Sequence, residues 1–66
     1  MTIYTAICLL DTDPCFSNKG EVRQTANFQT LYRQMRSELR CARHYGNDVR
    51  WEVRDEAGKI LLVFAT

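Results

Sequence analysis

Only one stretch of the 66-residue chain repeats its apolar residues with a helical period, and that limits the fold more than any other feature. Phe28, Leu31, Tyr32, Met35, Leu39 and Ala42 recur at three- and four-residue steps, which places them on one face of a helix over residues 28–45. Asn27 or Thr25 can cap its start. Gly46 supplies a left-handed stop, and Arg43 and His44 fall in the last turn, where free carbonyls favour cations. One helix has one apolar face, so it can cover one side of one sheet.

The remaining chain reads as strands and turns. Residues 2–10 are β-branched and apolar without clean alternation, the pattern of a strand buried on both faces. The DTDPCFSNKG segment that follows gathers Asp, Pro, Ser, Asn and Gly and reads as a loop, after which residues 21–24 allow a short edge strand. Beyond Gly46, Val49, Trp51 and Val53 alternate with Arg50, Glu52 and Arg54, a half-buried strand. Asp55, Glu56, Ala57 and Gly58 form a turn with Gly58 at a left-handed position, which returns the chain as a hairpin through residues 59–65.

These elements give an α+β architecture, a single β-α-β-β domain over residues 1–66 with one helix on a three-stranded, antiparallel-rich sheet. If Asp55 faces Lys59, then Val53 faces Leu61, Trp51 faces Val63 and Val49 faces Ala65, all beneath the helix. Tyr32 and Trp51 belong to that core. Ile60, Leu62 and Phe64 then share the outer face with Arg50, Glu52 and Arg54. Two readings stand for this outer patch. Either residues 14–22 fold back over it, bringing Phe16 and Val22, or it is a homodimer or partner interface.

Charge narrows the classes of function. Nine basic and eight acidic residues leave a net charge of +1, short of the excess a dedicated nucleic-acid domain carries and far from an acidic nucleic-acid mimic. The cations are concentrated, however: residues 23–46 hold five arginines and a single acid, Glu38. Arg33, Arg36, Arg40 and Arg43 line one flank of the helix beside its apolar face, a stripe about 15 Å long. It is either a solvated face with weak ion pairs to Glu38 and nearby acids, or a recognition stripe for an acidic partner, extended by Gln29 and His44.

No constellation for chemistry stands beside it. Asp11 and Asp13, with Asp48, are turn residues more readily than metal ligands, and Cys15 with His44 has no accompanying oxyanion device. Three cysteines without a CxxC pair or His cluster suit a reducing interior. The first residues carry no basic segment or cleavage site, and the longest apolar run, residues 60–65, is too short to span a bilayer, so a cytoplasmic chain without membrane contact is expected. No catalytic residue, metal or cofactor is expected.

An Arg-rich helix and an apolar sheet face, in a chain without a reaction motif, are surface without an active site. In this organisation, over its whole length, the chain resembles the small inhibitors encoded by phages and other mobile elements, anti-CRISPR proteins among them. That resemblance implies a stoichiometric inhibitor or modulator that binds a larger nucleic-acid-handling protein complex, and it assigns no site residue. The Arg stripe would be the contact, with Arg36 and Arg40 at its centre. The alternative is a small DNA- or RNA-binding regulator whose same arginines contact phosphates.

Overall fold

The helix forms where its period places it. In the computed structural model, which describes residues 1–66, α1 is Phe28–Tyr45. Asn27 is the cap, its Oδ1 accepting the Thr30 N–H at 3.1 Å, while Thr25 Oγ1 accepts the Asn27 N–H at 3.0 Å one step earlier. At the far end Gly46 takes φ 72°, so that the Gly46 N–H reaches Arg43 O at 3.2 Å and the Asn47 N–H reaches Ala42 O at 2.8 Å. We expect Gly46→Ala to cost about 1 kcal/mol and to lower Tm by about 4–8 °C in thermal unfolding followed by circular dichroism. Nothing lies within 4 Å of the added Cβ, so the loss is one of backbone conformation alone. An unchanged Tm would mean that the helix does not depend on this stop.

The strands are β1 (Tyr4–Asp11), β2 (Val22–Thr25), β3 (Val49–Arg54) and β4 (Ile60–Ala65). They form one antiparallel sheet in the order β2-β1-β3-β4. The domain is α+β as expected, with four strands rather than three, because residues 22–25 do pair along the edge of β1. β1 is interior, flanked by β2 and β3, which accounts for its apolar sequence. α1 connects β2 to β3 across β1 and packs on one face of the sheet, closing a core of Ala6, Cys8, Leu31, Met35, Ala42, Val49, Trp51, Val53 and Phe64. No helix is long and apolar enough to cross a membrane.

The β3–β4 register departs from the one the turn suggests. The turn itself is as expected: Gly58 has φ 84°, the Asp55 N–H donates to Lys59 O at 3.0 Å, and Asp55 Oδ1 accepts from the N–H groups of Ala57 and Lys59. One step later the ladder shifts. Arg54 pairs with Ile60 and Val53 with Leu62, so Leu61 is the extra residue of a bulge. A one-residue slip exchanges the faces of everything beyond it. Phe64 therefore lies opposite Trp51 beneath the helix, and Leu62 opposite Val53, instead of standing on the outer face. The slip puts the largest side chain of β4 into the core: the Phe64 ring meets Tyr32 edge-on with centroids 5.5 Å apart, whereas the smaller Val63 turns outward.

Candidate functional site

Arg33, Arg36, Arg40 and Arg43 are all exposed along one flank of α1, as their spacing requires. None of them forms an ion pair, because every pair within 4.0 Å in the molecule involves Arg23, Arg50 or Arg54. Glu38, the helix's only acid, lies on the opposite flank and bonds Arg23 of β2 at 3.0 Å. The expected weak pairing of the stripe with Glu38 is thus replaced by a bond to the neighbouring strand. Arg36 alone is held, its Nη1 donating to Tyr32 Oη at 3.4 Å and its guanidinium 5.8 Å from the Tyr32 ring centroid. Between the stripe and the sheet runs a shallow groove of about 210 Å³ lined by Arg36, Leu39, Arg40, Arg43 and Phe64.

The other expected patch, Ile60, Leu62 and Phe64, is not brought together. Ile60 is outward and 48% exposed, Leu62 is half-buried against the core, and Phe64 is 8% exposed beneath the helix. The residues that do stand outward along β4 are Ile60, Leu61 and Val63, with Leu9, Leu10 and Val22 also exposed on the strands beyond β3. The loop after β1 does not roof them. It turns to the helix side, where Phe16, Asp13 and Asn18 border a cleft of about 200 Å³ with Glu38, Cys41, Tyr45 and Asn47. Across the middle of the outer face Glu52 bridges Arg54 at 2.8 Å and Arg50 at 3.7 Å, a buried carboxylate neutralised from both sides.

The remaining polar candidates are committed to local structure. Asp11 accepts the N–H groups of Asp13 and Asn18, and Asp13 those of Cys15 and Phe16, which is the turn chemistry the DTDP sequence suggests. The Phe16 and Cys15 amides hold the Asp13 carboxyl below its usual range. The structure does not join Cys15 to His44: Cys15 is on the exposed loop, and the His44 ring lies edge-on to Tyr45. Burial, with Asp11 nearby, pushes the Cys8 thiol up and keeps it protonated. Tyr32, expected in the core, is instead partly exposed at the rim of the helix, in ring contact with Phe28 and Phe64.

Arg23 is the residue that sequence reasoning missed. β2 turns it inward against α1, where its guanidinium sits 4.7 Å from the centroid of Trp51 and bonds both Glu21 and Glu38 at 3.0 Å. Those two carboxylates, Glu21 first, raise its pKa further and fix its charge. Nothing local in GEVRQT signals this role, which depends on β2 pairing so that Arg23 faces Ala6. Compared with known protein families, curated proteins and solved structures, the chain matches none.

Proposed function

We propose that this chain is a non-enzymatic interaction protein, an inhibitor or modulator of the anti-CRISPR kind that occupies a surface of a larger nucleic-acid-handling protein assembly through Arg33, Arg36, Arg40 and Arg43. One observation carries the reading: four exposed guanidiniums share a helix flank and none has a carboxylate, in a chain that holds eight acids. Unpaired arginines in a row offer their donor forks to an anionic partner at little cost, since no internal pair has to break. The near-neutral total charge favours a protein surface over the phosphate backbone, whose binding draws on a broad positive field.

Single Arg→Ala variants separate the two. Against the partner protein, obtained by affinity capture from the native host, Arg36→Ala and Arg40→Ala are each expected to cost about 2 kcal/mol or more while Arg33→Ala and Arg43→Ala cost little. Duplex DNA and single-stranded RNA should show no saturable binding at physiological salt. Saturable nucleic-acid binding with a log-log salt slope of about −3 to −4, weakened alike by all four substitutions, overturns the reading in favour of a nucleic-acid regulator.

A further inference from the structure

β4 is an edge strand with no neighbour on its far side, and its sequence ILLVFA carries no charge and no proline to blunt that edge. The Thr66 N–H donates to Val49 O at 3.0 Å, so antiparallel alternation turns the backbone groups of Phe64 and Leu62 to β3 as well. Those of Val63 and Ala65 then point away from the sheet, unpaired. The same edge lies under the unpaired arginines. Glu38 ties the opposite flank of α1 to β2, while the groove beside Arg36, Arg40 and Arg43 has Phe64 of β4 as its floor.

We propose that the free edge of β4 takes up an extended acidic segment of a partner protein as a fifth strand. Its carboxylates would lie on the helix side beneath Arg36, Arg40 and Arg43, and its apolar side chains on the outer side against Ile60, Leu61 and Val63. This rests on the reading of the stripe as a protein-binding surface and names how the partner is held: main-chain hydrogen bonds supply affinity and alternate side chains supply selectivity. The dimensions agree. Six residues of β4 span about 20 Å and the stripe about 15 Å, so two or three alternating acids fit under it. Charge also selects against a second copy. Antiparallel pairing of β4 with β4 of another molecule relates the two by an axis normal to the sheet, which puts both helices on one side and sets two unpaired arginine stripes face to face.

The test uses the intact protein and a fluorescein-labelled peptide of roughly eight residues alternating Glu and Val, long enough to cover β4. Binding read by anisotropy is expected to saturate, and hydrogen exchange is expected to show the Val63 and Ala65 amides becoming protected. The same peptide with N-methyl groups on two successive central amides, one on each hydrogen-bonding edge, should bind at least about tenfold more weakly, as should the parent peptide to an Arg36→Ala, Arg40→Ala double variant. A Lys-Val peptide should not bind. Equal binding of the N-methylated peptide, or no protection at Val63 and Ala65, overturns strand addition while leaving the Arg stripe as a protein contact. Equal binding to the double arginine variant overturns both. Sedimentation that shows a dimer lost on Val63→Pro, with the Tm of that variant retained, assigns the edge to a second copy and overturns the proposal.

Discussion

Trp51→Ala is expected to leave this domain largely unfolded. Trp51 is 0% exposed, with Phe64 and Cys8 as its cross-strand neighbours on the sheet and the Arg23 guanidinium over its ring. Truncating a buried aromatic to Ala costs about 3–5 kcal/mol, and a chain of this length has roughly 3–10 kcal/mol in all. The cavity would open where β1, β3 and β4 meet the helix, with no second layer to collapse into it. Trp51→Phe gives the contrast. The indole N–H has no acceptor, so its removal relieves a buried donor and offsets part of the lost ring volume. Urea unfolding monitored by far-ultraviolet circular dichroism should therefore show Trp51→Phe folded and Trp51→Ala unfolded at low denaturant. A Trp51→Ala protein that unfolds at the parent's midpoint would remove Trp51 from the centre of the core.

The helix was readable from sequence to its last residue because its signals are local: the apolar period, the Asn27 cap and the Gly46 stop all lie within a few residues of what they control. The Arg stripe was readable for the same reason, since spacing on a helix fixes the flank. What the stripe overhangs was not readable. That depends on β4 being the strand at the edge, and strand order arises from pairings between distant segments. The lack of a pair with Glu38 was readable too, for Glu38 is two or five residues from each arginine of the stripe and so stands on the opposite flank, whereas its bond to Arg23 depends on the pairing of β2. The alternation of Val49, Trp51 and Val53 with charged residues gave the faces of β3, but ILLVFA is apolar at every position and so carries no face signal of its own. A turn can set the first pair of a hairpin. The bulge at Leu61 then reassigns all later pairs without disturbing the turn.

That reassignment makes the second large prediction a comparison between neighbours. With Phe64 opposite Trp51, Phe64→Ala is expected to cost about 3–5 kcal/mol, as for other buried aromatics, and Val63→Ala, at a side chain 43% exposed on the outer face, less than about 1 kcal/mol. Extrapolating the register from the Asp55 turn without a bulge gives the reverse order, with Val63 beneath the helix and Phe64 in solvent. The pair of variants, unfolded in urea side by side, therefore distinguishes two registers that differ by one residue. The loss at Phe64 should also reach the binding surface. Its ring is the floor of the groove beside Arg36, Arg40 and Arg43, and it packs edge-on against Tyr32, whose hydroxyl accepts from Arg36. A milder replacement, Phe64→Leu, keeps the face apolar and is expected to remain folded while freeing Tyr32. It should weaken binding through Arg36 more than through Arg33, which has no such support. If Val63→Ala proves the more damaging of the two truncations, the bulge is absent, Phe64 faces solvent, and the groove under the arginines loses its floor.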